Sequence, residues 1–432
     1  MARVDRIPSR RQTGVVDVRR NNPLTGRPRA HRPPGRVAGS AAIVVVVVVM
    51  AAAAAVAAVG FAARPGSGAA QLRDPSPSIQ IQAEPPPLPG HEVYGFVPYW
   101  EMDDAIAEHL RATDATTVAL FSVSHTAKGE IATNLPGYRA VAGSIGRRIV
   151  ADAHAAGRRV DVTWTSFGRS KNDKLFASDA LQDRVIAALV TLRADLGVDG
   201  IAVDVEEIST TDIPAYSGFI GRLRTALRAA APKATVTVAT GAGPQGAALA
   251  LAASLAEADR IFLMGYDYRT RSSEPGASAP LSRRDGETPS LGWSLDLYAA
   301  AGVPVDRTIL GLPLYGLAWP TAAADLGAAK TGRGDIWVPR RNLTTLRDPA
   351  IEPVYDPIEA VAFLALPTGT AFQSVYFDTA QSLRPKLGLA NELGLAGAGF
   401  WALGYERGLP DYTTLIADFR AGQSMTVAAV AP

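Results

Sequence analysis

Asp204 and Glu206 are two carboxylates spaced two residues apart in the run 196–208, Leu-Gly-Val-Asp-Gly-Ile-Ala-Val-Asp-Val-Glu-Glu-Ile. The centre of the run is apolar and β-branched, the composition of a strand buried on both faces of a parallel sheet. Strand side chains alternate, so Gly200, Ala202, Asp204 and Glu206 share one face while Ile201, Val203 and Val205 share the other. Two residues of rise put the acidic β-carbons roughly 6.6 Å apart, close enough for one carboxylate to disfavour ionisation of the other. A carboxyl that keeps its proton near neutral pH is what general acid catalysis needs. The competing reading is an ion pair at a strand end, but acids inside a sheet or barrel more often mark sites.

A pair so placed needs a scaffold of buried parallel strands. After residue 91, short β-rich runs alternate with longer segments rich in Ala, Leu and Arg. The strand candidates are 92–97, 116–123, 159–165, 197–206, 234–240, 260–266, 308–314 and 397–403, with helix candidates such as 143–156, 180–196, 215–231, 247–258 and 294–301 between them. This alternation predicts an α/β fold, a (β/α)8 TIM barrel over residues 92–422. The gap between the seventh and eighth strands exceeds what one helix needs, and it holds strand-like runs at 335–338 and 373–377. A small inserted α+β subdomain is expected over 317–377, at the barrel mouth.

The chain has 432 residues, 47% of them apolar, enough for a large core. Basic and acidic residues number 43 and 41, but ten arginines precede residue 37 and leave the remainder mildly acidic. That balance points to no nucleic-acid surface. With no cysteine, disulfides, thiolate metal sites and thiol nucleophiles are excluded. Residues 1–40 read as a disordered basic cytoplasmic tail. Residues 41–63 are all apolar or Gly, the length of a transmembrane helix, and residues 64–91 form a Pro-rich linker. The basic flank predicts that everything after Arg64 lies outside the membrane, with secretion after signal cleavage as the alternative. A monomer is expected.

Gly241-Ala-Gly-Pro-Gln-Gly246 follows a strand and opens a helix, the form of a dinucleotide-binding fingerprint. Pro244 removes a backbone N–H where a phosphate would be cradled, and the unit is the fifth of eight, so a nicotinamide-dependent oxidoreductase is only a remote alternative. No histidines have metal-ligand spacing, and His125 and His154 read as surface or loop residues. No cofactor or metal is expected.

The segment Asp199-Gly200-Ile-Ala202-Val-Asp204-Val-Glu206 resembles the fourth-strand signature of glycoside hydrolase family 18, the chitinase-like family, which reads Asp-Gly-x-Asp-x-Asp-x-Glu. Met264-Gly-Tyr266-Asp267 is similar to the family's Met-x-Tyr-Asp on the sixth strand, Gly311-Leu-Pro-Leu-Tyr-Gly316 to its seventh, and Phe400-Trp401-Ala-Leu-Gly404 to its eighth. Two departures stand out. Ala202 occupies a position where the family has Asp, or Asn in spore-cortex-hydrolase relatives, and the third strand ends in Thr-Ser-Phe-Gly instead of Ser-x-Gly-Gly.

The resemblance implies hydrolysis of N-acetylglucosamine polymers, peptidoglycan or chitin-like, in which the substrate's own acetamido group replaces a protein nucleophile. Glu206 would be the acid/base, Asp204 would hold the acetamido N–H, Tyr266 its carbonyl, and Trp401 would floor the sugar. Asp267 is a less secure member, since it points outward unless the strand has ended. Trp100 and Trp319, expected near the barrel mouth, are further candidates for stacking on sugar, and Asp378 for substrate contact, with a helix cap as its other reading. The competing class is a non-catalytic glycan-binding module on the same barrel, motivated by Ala202.

Overall fold

The computed structural model describes residues 90–286 and 289–425. The basic tail, the apolar run 41–63 and the linker as far as residue 89 lie outside the described residues, and with them the membrane helix expected there. Among the described residues no helix is long and apolar enough to cross a membrane. Of the expected linker, Gly90 and His91 are described, and His91 stacks on Phe419 with ring centroids 4.6 Å apart.

Eight parallel strands close into a barrel. In chain order they are β1 (Glu92–Pro98), β2 (Thr117–Ser124), β3 (Arg159–Phe167), β4 (Gly200–Glu206), β5 (Thr235–Gly241), β6 (Arg260–Met264), β7 (Thr308–Pro313) and, after an insertion, β13 (Gly397–Trp401). The ring order β1-β13-β7-β6-β5-β4-β3-β2 returns each strand beside its sequence neighbour. All eight predicted strands are present. The helix Asp179–Leu196 shows why the units form. Ser178 caps its first turn by accepting from the Leu181 N–H, Leu181, Val185, Leu189, Leu192 and Leu196 are buried along one stripe, and Gly197 at φ 69° ends it. That cap is why β4 starts at Gly200 and not at the predicted 197.

Inside the barrel, Tyr94, Phe96, Phe121 and Phe262 pack with Ala119, Ala202, Ala239 and Ile309. The Phe262 ring needs the glycines beside it, because a Cβ on Gly311 or Gly399 would lie 2.4 Å from its edge. Toward the N-terminal end of the barrel, Asp161 is buried and accepts from the Tyr94 hydroxyl at 2.9 Å. Burial pushes its carboxyl up to about 6, against the pull of Arg159.

The insertion is a five-stranded sheet of β8 (Gly316–Thr321), β9 (Asp335–Trp337), β10 (Val354–Asp356), β11 (Val361–Thr368) and β12 (Ala371–Phe377), in the order β10-β11-β12-β8-β9. Its pairings are antiparallel. The long loop after β6 fastens to it. Glu359 accepts from the Ala277 N–H at 2.9 Å, and the Arg284 guanidinium donates to Asp356 at 3.0 Å.

Candidate active site

The register places the two acids at the C-terminal end of the barrel. Thr165 of β3 pairs with Asp204 and Phe167 with Glu206, so these side chains rise together on the inward face of neighbouring strands. Asp204 is buried and Glu206 is open to solvent. The backbone beneath Glu206 is held from outside its strand, where Asn172, fully buried on the helix Arg169–Phe176, donates its amide to the Glu206 carbonyl at 2.5 Å and accepts from the Ser166 hydroxyl. Nothing in the sequence singles out Asn172, whose partners are a backbone carbonyl and a serine. Asp199, the first acid of the motif, is structural: its carboxylate accepts from the Val160 N–H at 2.8 Å and meets His154 at 2.9 Å.

Burial, and then the charge of Glu206, push the Asp204 carboxyl well above the usual carboxylate range. Glu206 is raised as well, first by the protein around its base and then by Asp267 and Glu207. The cluster therefore holds a proton beyond the pH at which isolated carboxylates lose theirs. No Lys or Arg pairs with either acid among the described residues, which argues against the strand-end ion pair.

The sixth strand ends early, and that turns Asp267 toward the site. β6 stops at Met264, two residues short of the expected end, and Asp267 takes φ 59°, breaking the alternation that would have pointed it outward. The Tyr315 hydroxyl donates to the Asp267 carboxylate, and the Asp267 N–H donates to Ser278 Oγ at 3.1 Å. Tyr266 packs edge-on against Tyr315, with ring centroids 6.3 Å apart. Burial and the charges of Asp204, Asp267 and Glu206 raise the Tyr266 hydroxyl well above its ordinary range, so it remains a proton-bearing donor. Tyr315, which links the start of the insertion to Asp267, was overlooked as a site residue within the seventh-strand motif.

Trp401 ends β13, four positions around the ring from β4 and therefore across the mouth from the acids. Trp100 meets it edge-on at 6.3 Å, is 44% exposed, and donates its indole N–H to the Tyr405 hydroxyl at 3.0 Å. Phe167, 43% exposed beside Glu206, adds an apolar surface that the third strand's departure from the family pattern supplies.

Several expectations need correction. Trp319 is fully buried in the insertion, packed with Leu317, Ala277 and Tyr376 under Gly334, so it presents no face to a sugar. Asp378 is buried too, accepting from Lys386 at 2.5 Å and from the Ser382 hydroxyl at 2.7 Å; the cap of the following helix is Thr379. His125 is a loop residue but a buried one, 5.4 Å from the Trp164 ring, and burial lowers its imidazole to about 4. The Gly241–Gly246 turn is engaged with the protein itself, Tyr298 donating to the Gly241 carbonyl and Ser294 to that of Ala242. It lies in a closed barrel with no crevice of the open-sheet kind. No group of three or more His, Asp or Glu suited to a metal ion occurs among the described residues.

Comparison with known proteins decides the family, because the model for glycosyl hydrolases family 18 matches residues 99–406. The chain belongs to that family. A sporulation-specific glycosylase of Bacillus subtilis (strain 168) is 22% identical over 296 residues, 67% of this chain and 66% of that protein. Mouse chitotriosidase-1 is 25% identical over 267 residues, 56% of either chain. The chain thus spans less than two thirds of these relatives' lengths. Among solved structures, a family 18 chitinase of Cycas revoluta in complex with (GlcNAc)3 superposes with a TM-score of 0.66 at 18% identity, covering 76% of this chain and 99% of that one. The Bacillus cereus spore cortex-lytic enzyme SleL superposes at 0.62 and 17% identity, covering 77% and 74%. At these identities the likeness bears on the fold.

Proposed function

We propose that this protein cleaves β-linked polymers containing N-acetylglucosamine by a substrate-assisted mechanism that retains configuration. The observation that carries the reading is the pair Asp204 and Glu206, side by side on the inward face of β4 with both carboxyls raised. Glu206, open to the cleft, protonates the glycosidic oxygen. The substrate's acetamido carbonyl oxygen then attacks the anomeric carbon, with Asp204 accepting from the acetamido N–H and Tyr266 donating to its carbonyl. Trp401 floors the sugar, Trp100 extends that apolar wall, and Asp267 raises the acid by its charge. Glu206 finally takes a proton from the water that opens the cyclic intermediate.

Peptidoglycan is favoured over chitin. The apolar run 41–63 behind an arginine-rich flank suits an anchored domain outside the membrane, where that polymer lies. A relative named for sporulation and a structural neighbour named for the spore cortex support the same choice. The test is incubation of the full chain and its Glu206→Gln variant with purified peptidoglycan and with chitin oligosaccharides, followed by mass analysis. Reducing-end products from the parent and a loss on the order of 10²–10⁴-fold in the variant are expected. Glycan retention without products from either protein would instead favour the binding module, to which the alanine at 202 lends its support.

A further inference from the structure

Two buried oxygens without a protein partner belong to residues on the same inward face of neighbouring barrel strands. Asp204 is only 6% exposed, and its Oδ1 is enclosed with no hydrogen-bond partner among protein groups. Thr163 is fully buried, and its Oγ1 is in the same condition. On the shared inward face of β3 and β4, Thr163 pairs with Ala202 and Thr165 with Asp204, so Thr163 stands diagonally one step below the acid, with β-carbons roughly 7 Å apart. Ala202 and Thr165 flank this diagonal, and Ala202 belongs to the apolar cluster that Tyr94, Phe96, Ala239 and Phe262 also form. The lateral neighbour does not serve, because the Thr165 hydroxyl already donates to the Val123 carbonyl at 3.1 Å.

A buried oxygen left unsatisfied carries its full desolvation penalty. A single buried water with two to four polar partners removes such a cost, and the span between two diagonal side chains suits one water better than a direct bond. We propose that Thr163 is a positioning residue for Asp204: its hydroxyl donates to one water seated over the Ala202 methyl, and that water donates to Asp204 Oδ1. The bridge holds Oδ1 inward and leaves Oδ2 for the cleft, so the acid keeps a fixed orientation although no carboxyl stands behind it.

The other ionisable groups around Asp204 are Glu206 on its own strand, Tyr266 beyond β6 and Tyr216 on the helix Ile213–Ala230. The inference rests on the hydrolase reading for its catalytic meaning, but not for its geometry.

The experiment uses the full chain with Thr163→Val, which removes the hydroxyl and keeps the shape, and Thr163→Ser, which restores it. Carboxyl-carbon NMR in a Glu206→Gln background follows the titration of Asp204 alone. Losing a donor to the ionised form should raise the Asp204 pKa by roughly 1–2 units in the valine variant, and serine should bring it back. A high-resolution crystal structure should show the water between Thr163 Oγ1 and Asp204 Oδ1. On the active background, kcat should fall in the valine variant while KM stays. Should the valine variant fail to fold, Ala202→Asn replaces the water with an amide that donates to Oδ1 directly, and a crystal structure of it should show the water displaced. A folded Thr163→Val protein with an unmoved Asp204 titration, or a map with no water between the two oxygens, overturns the proposal. Absence of turnover on every glycan would overturn the hydrolase reading alone, since neither the titration nor the map depends on it.

Discussion

Phe167 and Glu206 are register partners across β3 and β4, an exposed aromatic face beside an exposed acid on the same side of the sheet. Under the proposed hydrolysis a leaving-group sugar brings its glycosidic oxygen to Glu206, which sets that sugar's apolar face near the Phe167 ring. Phe167→Ala should raise KM for oligosaccharides roughly fivefold, the equivalent of about 1 kcal/mol of aromatic contact, with little change in kcat or melting temperature. Steady-state kinetics decide the point, and an unchanged KM would remove Phe167 from the cleft's binding surface.

The raised carboxyls predict a pH profile. Glu206 must be protonated to act, so activity falls as the pH rises through the value at which the cluster gives up its shared proton. Asp204→Asn removes a like charge that holds that proton, and should move the alkaline limb of kcat/KM about one pH unit lower besides reducing the rate. A limb that stays in place would show that the two acids titrate independently.

Asp161 carries a stability prediction. Burial lifts its carboxyl from an ordinary 3.8 to about 6, so the folded state binds this proton more tightly than the unfolded chain does. Its contribution is complete below about 3.8 and is lost as the pH rises through about 6, a change of roughly 3 kcal/mol. Asp161→Asn keeps an acceptor for the Tyr94 hydroxyl and should flatten the decline of melting temperature between these values. Calorimetry across that range is the check, and an equal slope in both proteins would contradict it.

Lys386 and Asp378 form a buried pair, the lysine fully enclosed. Lys386→Met leaves the acid uncompensated and should cost about 3–5 kcal/mol, much of it regained by adding Asp378→Leu. The double variant should bind oligosaccharides like the parent, in keeping with a structural Asp378; weakened glycan binding in that stable variant would return Asp378 to the cleft.

The barrel was legible because short β-rich runs, some continuously apolar and others such as β3 and β5 alternating with Thr, recur between helical segments, and β4 also carried its two acids at the correct end. The insertion was less so. The runs 335–338 and 373–377 were visible, whereas β8 and β10 lie in stretches where a short strand and an irregular segment read alike, and the apolar run of β11 was not read as a strand. Trp319 shows the limit most clearly. It follows the seventh strand in sequence, but alternation along β8 turns it into the insertion's own core. Asp267 was ambiguous for a related reason: whether it faces in or out depends on where β6 stops, and a left-handed backbone at a non-glycine residue leaves no trace in composition.

Tyr315 sits two residues after β7, one residue before the insertion begins, and its hydroxyl reaches Asp267. The insertion and the acid cluster therefore share a hinge post. Anyone exchanging this subdomain for that of a relative, to change which glycans fit the cleft, would have to cut after Tyr315 and keep Ser278, whose hydroxyl donates to it at 3.3 Å. A graft joined at Pro313 would trade away the support of Asp267 together with the specificity it was meant to replace.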